Sequence, residues 1–466
     1  MAPYIHISAI EVENFKNIRY GKIVFPNARK PEEATNKNVL GLYGQNGSGK
    51  TAIVQAFKLI QELIEGGALP EDANSFVFDG EKIAVLKLSF SIIIEDVLMC
   101  KGCYEIMLER EESGVYLTKE SISYRLEKKG QKTKEISCSF ASESLFLEKL
   151  GFVKSKPISE DDRIELLVQR KRSKEEKKSL LFSDKLREVL EHYDRKDAQS
   201  IIYILVEKFH TYVVIISSKE IGYIYSNIFL PVNVHLSNES KPGGVVGHYG
   251  IGMSKEDRQD LNEPLIISKE AFMVMNKIFE QINLILPALI PELTISLNNL
   301  GNQTLKDGSL GIRVEFLAHR GDRELPLYYE SDGVKKIISI LSVLVALFNN
   351  QNMFVVIDEL DAGIYEFLLG ELIDVLNKNG KGQLLFTSHN LRLLEVLERE
   401  NLMFTTTNEC NRFIPFKGVK QTNNIRDLYL RAIQIGGQNE EVYAETDTFE
   451  IRRAFEKAGK VNYESD

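Results

Sequence analysis

Four cysteines in 466 residues are too few for a disulfide framework, the device of small secreted domains that lack a sufficient core. No leader is expected either: Met1 to Asn14 alternates polar with apolar residues and shows no basic start followed by an apolar stretch. The longest apolar run, Ile337 to Phe348, is broken by Ser339 and Ser342 and is too short to cross a bilayer. Nor is there an excess of positive charge. Lys and Arg number 58 against 67 Asp and Glu, a formal charge of −9, so the chain is no polybasic membrane binder or nucleic-acid coat. Any contact with nucleic acid would have to be a local patch. These absences point to a cytoplasmic protein. What is present, 43% apolar and 27% charged residues, is ordinary for a folded chain, and at roughly 100–200 residues per domain the length fits two or three units.

Cys100 and Cys103 form a C-x-x-C pair, which invites zinc, yet a zinc site needs two further ligands, and Cys138 and Cys410 each stand alone. Lys101-Gly102 lies between two apolar runs and reads as a hairpin turn.

Period-two alternation predicts strands over Tyr4 to Val12 and Tyr20 to Phe25, then Val39 to Tyr43 leading straight into a glycine-rich stretch. Apolar residues at Ile53, Val54, Phe57, Ile60, Leu63 and Ile64 then predict a helix from Ala52 to Ile64. Antiparallel strands are expected at Ala84 to Ile94, Tyr104 to Leu108 and Ser121 to Leu126. Charged, helix-favouring sequence occupies Phe146 to Phe209, including the basic run Arg170 to Lys178. Glu175 and Glu176 dilute that run; a solvated helix face is the ordinary explanation and a phosphate contact the alternative. Tyr212 to Leu230 reads as buried strand, and Lys241 to Gly252 as a glycine-rich loop with no Lys-Thr to make it a phosphate cradle. A helix over Lys269 to Leu286 is expected to stop at Pro287, and strands follow at Glu292 to Leu297 and Ile312 to Ala318. From Gly333 helices and strands alternate: helix Val334 to Phe348, strand Phe354 to Ile357, helix Glu366 to Leu376, strand Gln383 to Thr387, helix Leu391 to Glu398 and strand Leu402 to Thr406. That alternation implies a parallel sheet covered on both faces.

Chemistry concentrates in three places. Gly44-Gln45-Asn46-Gly47-Ser48-Gly49-Lys50-Thr51 satisfies G-x-x-x-x-G-K-[ST] between a strand and a helix. Its glycines let successive N–H groups curl inward, the helix start adds its positive dipole end, Lys50 would reach β- and γ-phosphates, and Thr51 would ligate Mg²⁺. The strand Phe354 to Ile357 ends in Asp358 and Glu359, two carboxylates at the edge where ligands bind in open α/β sheets. Asp358 is placed to hold Mg²⁺ through its water shell, and Glu359 to act as the general base that orients water. A third apolar strand, Gln383 to Thr387, is followed by Ser388 and His389, whose side chain could contact the γ-phosphate.

In this order the motifs resemble the ABC-type AAA family ATPases of the RecF-like and OLD-like group. Gly44 to Thr51 is similar to their Walker A loop, Phe354 to Glu359 to Walker B with its catalytic glutamate, Leu360-Asp361-Ala362-Gly363 to the D-loop, and His389 to the switch histidine. Glu330 to Lys336 resembles the signature in its divergent S-x-G form, Ser331-Asp332-Gly333; Glu13-Asn14-Phe15-Lys16-Asn17 and Arg426 to Leu430 resemble flanking segments. The strands after the loop offer no glutamine to match the Q-loop. The chain after His389 is too short for the Toprim nuclease of the OLD group, and no sustained heptads suggest the coiled coils of structural-maintenance ATPases.

The resemblance implies an α/β fold: an ABC-type P-loop ATPase head, with a parallel core sheet plus antiparallel N-terminal strands, interrupted by a helix-rich insertion. The expected division is 1–147 and 302–438 for the head, 148–301 for the insertion and 439–466 for a tail. It also implies ATP and Mg²⁺ as ligands, catalytic roles for Lys50, Glu359 and His389, nucleotide contacts from Gly44 to Thr51, Ser331, Gly333 and Asp361, and metal contacts from Thr51 and Asp358. In the family the signature acts in trans, so the implied active form is a homodimer or higher oligomer paired through its heads. Compact heads of this kind resemble the ATPase subunits of bacterial anti-phage systems, which control a separate effector, a nuclease or toxin. The alternatives are a RecF-like DNA repair ATPase and a nucleotide-dependent scaffold with little turnover.

Overall fold

The structure, a computed structural model, describes residues 3–33, 37–127, 136–141, 145–146, 159–192, 196–218, 265–304, 308, 310–416, 424–444 and 447–459. The mostly buried run Tyr4–Phe15 is strand β1, Ile18–Val24 with roughly alternating burial is β2, and the fully buried run Val39–Tyr43 is β3. Helix α1 (Lys50–Ile64) follows, then β4 (Ile83–Ile94), β5 (Val97–Glu111), β6 (Gly114–Leu126), β7 (Ile136–Ala141) and β8 (Leu145–Phe146). Three helices come next, α2 (Glu160–Glu175), α3 (Asp184–His192) and α4 (Lys196–Tyr212), then β9 (Val213–Ile216), β10 (Leu265–Ser268) and α5 (Lys269–Leu289). Strands β11 (Leu293–Thr304), β12 (Leu310–Arg320) and β13 (Arg323–Pro326) lead to α6 (Asp332–Asn349) and β14 (Phe354–Ile357). The chain continues through α7 (Glu366–Asn379), β15 (Gln383–Ser388), α8 (Leu393–Val396), β16 (Leu402–Thr405), β17 (Phe413–Ile414), α9 (Ile425–Gln434) and α10 (Thr448–Ala458).

The core sheet has the order β17-β16-β3-β15-β14-β9, parallel throughout except for β17. Successive side chains of its strands point to opposite faces. Leu40, Leu42, Phe354, Val356 and Leu385 join one apolar cluster with α1, α4 and the antiparallel sheet β2-β1-β4-β5-β6-β7-β8. Val39, Tyr43, Val355, Ile357, Leu384 and Phe386 join the other, with α5, α6, α7 and the sheet β10-β12-β11. The fold is therefore α/β with a parallel core covered on both faces and an antiparallel N-terminal sheet. The stretch expected as an insertion supplies β9 at one edge of the core sheet and α4 against α1, while α5 packs on β11 and α6.

One aromatic cluster fixes α1 over the sheet. Phe57 lies 5.1 Å from Phe354 and 6.2 Å from Phe25, ring centre to ring centre, and Phe25 is 5.6 Å from Phe354. Burying each such ring contributes about 1.5–3 kcal/mol, and the trio holds the middle of α1 over the sheet near the amino end of β14.

Three local expectations are corrected. There is no hairpin at Lys101-Gly102: β5 runs through both cysteines, and the turn is Glu95-Asp96, both at positive φ (50° and 58°). Gly102 is there for space, since a Cβ would sit 2.4 Å from the Phe90 ring. Helix α5 does not stop at Pro287 but continues to Leu289, closed by the Ile290 N–H to Leu286 O bond of 2.8 Å beside the buried Leu286. The helix expected from Leu391 to Glu398 shrinks to Leu393–Val396, because Ser388 Oγ and Asn390 Oδ1 accept the N–H groups of Asn390 and Arg392 and start the segment as turns. Residues 219–230 of the expected Tyr212 to Leu230 strand and the glycine-rich Lys241 to Gly252 lie outside the described residues.

Candidate functional site

β3 delivers the chain into the loop 44–49, where Gly44, Gly47 and Gly49 have φ of 154°, 76° and 93°. A Cβ at Gly44 would lie 1.5 Å from Thr405 Oγ1, so the loop can pass the end of β16 only as glycine. Ser48 Oγ donates to Gln45 O (2.6 Å) and accepts from Thr405 Oγ1 (2.7 Å), and Asn17 Nδ2 donates to Gly47 O. These bonds make the loop a fixed curve ending at α1, whose first N–H groups have no partner within the helix. Lys50 opens that helix, and its Nζ donates to Gly44 O (2.7 Å) and Gln45 O (2.9 Å). Burial pushes this lysine down to about 8, against the pull of Asp358, Glu359 and Asp361. Thr51 is exposed.

Asp358 leaves β14 completely buried. Its Oδ1 accepts from Thr387 Oγ1 (2.6 Å), while Oδ2 is buried with no hydrogen-bond partner among the described residues. A carboxylate oxygen in that condition is costly unless a cation or its water meets it. The donor set, a hydroxyl on Thr51 and an oxygen on Asp358, fits a hard cation such as Mg²⁺ that keeps most of its waters. Glu359 has φ 50°, left-handed for a residue with a side chain, and its N–H donates to Thr387 Oγ1 (2.7 Å). His389 N–H donates to Asp361 Oδ2 (3.1 Å), and burial, then the charge of Lys50, hold its imidazole below the ordinary histidine range, favouring the neutral ring.

A cleft of about 350 Å³ collects Asn46, Gly47, Gly49, Lys50, Thr51, Asp358, Glu359 and His389, together with Lys16, Asn17, Ala52 and Gln55. Gly44, Gln45, Ser48 and Asp361 do not line the cleft: Gln45 Oε1 accepts the Ala444 N–H (2.9 Å), and Asp361 accepts the His389 backbone N–H. Ser331 and Gly333 are not among the lining residues. Ser331 caps α6, accepting the Val334 N–H at 3.4 Å, and Gly333 packs on Gly363, whose oxygen a Cβ there would approach to 1.9 Å.

Several residues at this place escaped sequence reasoning. Thr387, Thr405 and Lys336 act only through partners far along the chain. Gln55 was readable: it lies four positions after Thr51, hence on the same helix face.

A sequence profile described as an AAA ATPase domain matches residues 6–394. No curated protein matches the chain. Among solved structures, it is similar to an Smc head bound to the C-winged helix domain of ScpA, at 16% identity over 88% of this chain and 97% of that one, with a TM-score of 0.42. It is also similar to an Smc head with a coiled coil and joint from Pyrococcus yayanosii, at 12% identity over 92% and 100% of the two chains, TM-score 0.43. The SMC head domain from Thermotoga maritima shares 14% identity over 88% and 99%, TM-score 0.35.

Proposed function

The chain belongs to the AAA ATPase domain family, and from that premise we propose that it binds and hydrolyses ATP with Mg²⁺ in heads that pair. The observation that carries this is the buried, unpartnered Oδ2 of Asp358 in one cleft with Lys50, Thr51 and Glu359. The loop N–H groups and Lys50 bind the phosphates, exchanging the Gly44 and Gln45 carbonyls for a phosphate oxygen. Thr51 and Asp358 would hold Mg²⁺, which would supply charge neutralisation at the phosphates. Glu359 takes a proton from the attacking water, and His389, kept neutral and held by Asp361, hydrogen-bonds near the γ-phosphate.

Ser331 and Gly333, at the N-terminus of an 18-residue helix and outside their own head's cleft, supply anion contacts to the nucleotide of a second copy. On the resemblance to anti-phage ATPase subunits, the paired heads control a separate effector protein. A protein partner is preferred to DNA because the chain is acidic overall and three of the six basic residues of the run are ion-paired: Lys174 to Glu111 at 2.8 Å, Lys178 to Glu176 at 3.3 Å and Arg172 to Glu176 at 3.7 Å. No helix among the described residues is long and apolar enough to cross a membrane. The test is hydrolysis of ATP with Mg²⁺ and with EDTA, alongside nucleotide binding by Glu359→Gln. A purified chain that neither binds nor hydrolyses ATP overturns the reading.

A further inference from the structure

Lys336 is a lysine in the apolar run of α6, only 1% exposed. Its Nζ donates to the backbone oxygens of Glu359 (2.5 Å) and Ala362 (3.0 Å). On the other side, the Glu359 N–H goes to Thr387 Oγ1 (2.7 Å) and the Leu360 N–H to Thr387 O (3.0 Å). Both peptides that flank Glu359 are therefore held by groups outside the 358–363 turn. They need to be, because at φ 50° a residue with a side chain stays in the left-handed region only where its surroundings over-determine it. The same turn touches α6 a second time. Gly333 meets Gly363 so closely that a Cβ would fall 1.9 Å from the Gly363 oxygen. Gly333 and Lys336 are three positions apart, on one side of the first turns of α6.

We propose that Lys336 is a positioning residue for Glu359: it fixes the left-handed backbone that aims the carboxylate, and it ties that backbone to the helix end carrying Ser331 and Gly333. This rests on the reading of Glu359 as the base for ATP hydrolysis. Contact made at Ser331 and Gly333 then reaches the hydrolytic carboxylate of the same head through one side chain and one pair of glycines. No other lysine or arginine has both ends of this geometry among the described residues, a buried ammonium on two carbonyls of the turn and a place in the signature helix.

The test places Lys336→Met and Lys336→Arg in the wild-type and Glu359→Gln backgrounds and measures kcat, nucleotide affinity and folding by circular dichroism. Methionine keeps length and packing but has no donor; arginine keeps donors and charge. The expected result is a loss of about 100-fold in kcat for Lys336→Met, the scale of a misplacement by about 1 Å, with nucleotide affinity within about threefold. In the Glu359→Gln background the same change should cost less than about twofold, and Lys336→Arg should recover part of the loss. A folded Lys336→Met with kcat within about threefold of wild type overturns the proposal, and so does an equal fold loss in both backgrounds, the mark of a purely structural lysine. If Lys336→Met does not fold, Lys336→Gln takes its place in the same cycle. A wild-type chain without Mg²⁺-dependent hydrolysis strikes the functional reading; an active wild type with an unaffected Lys336 variant strikes only this inference.

Discussion

Thr387 Oγ1 donates a 2.6 Å hydrogen bond to Asp358 Oδ1, joining the carboxyl ends of the adjacent parallel strands β15 and β14. Asp358 has no exposed surface, and its other oxygen has no partner among the described residues, so this hydroxyl is the one donor to its carboxylate among them. The same Oγ1 accepts the Glu359 N–H. Thr387→Val keeps the shape and removes both bonds. Each buried group left unpaired costs about 1–3 kcal/mol, so the urea midpoint at neutral pH should fall clearly. An unchanged midpoint would show that water or another group replaces the hydroxyl.

Glu359→Gln should leave ATP binding intact and lower kcat by about 10²–10⁴-fold, the usual contribution of a positioned general base. Lys50→Ala should instead lose nucleotide affinity, because the cation and its two loop contacts go together. Equilibrium binding and single-turnover hydrolysis separate the two. Equal effects of both variants on binding would remove Glu359 from its role.

Pairing of heads is open to complementation. Lys50→Ala spoils the loop and spares the signature; Ser331→Arg does the reverse. Mixed, two inactive proteins should regain hydrolysis, since one composite site per mixed pair is intact. If each is inactive alone and the mixture stays inactive at concentrations where pairs form by light scattering, Ser331 does not serve the partner's nucleotide.

Much of this arrangement was readable in residue order. The glycine spacing of 44–49 and the apolar run Phe354 to Ile357 ending in two acids mark a loop and a strand whose bounds the structure repeats, because local sterics and complete burial write themselves into the chain. What was hidden depends on partners far away. Gly102 read as a turn because glycine makes turns, but here it admits the Phe90 ring from the neighbouring strand. Tyr212 to Leu230 read as buried strand, yet nothing local says that its segment Val213–Ile216 pairs with β14. Lys336 read as a charged position within a motif. Its burial makes sense only once the carbonyls of Glu359 and Ala362, 23 and 26 residues on, are folded against it.

Lys208 on α4 gives a pH signature of the fold. Only 3% exposed, its Nζ donates to the Asn352 carbonyl, and burial pushes the ammonium down to about 7 from an ordinary 10.5. Below about pH 7 the lysine is protonated folded and unfolded alike. Between about 7 and 10.5 the folded chain holds it neutral while the unfolded chain still binds the proton, so this group makes stability rise with pH across that window. Lys50 and Lys336, pushed to about 8, act with the same sign, so the informative quantity is a difference. Urea unfolding of wild type and Lys208→Met at pH 7 and pH 9 should show wild type gaining on the variant as pH rises. Parallel profiles would mean that Lys208 keeps its charge in the fold, held by its carbonyl contact despite burial.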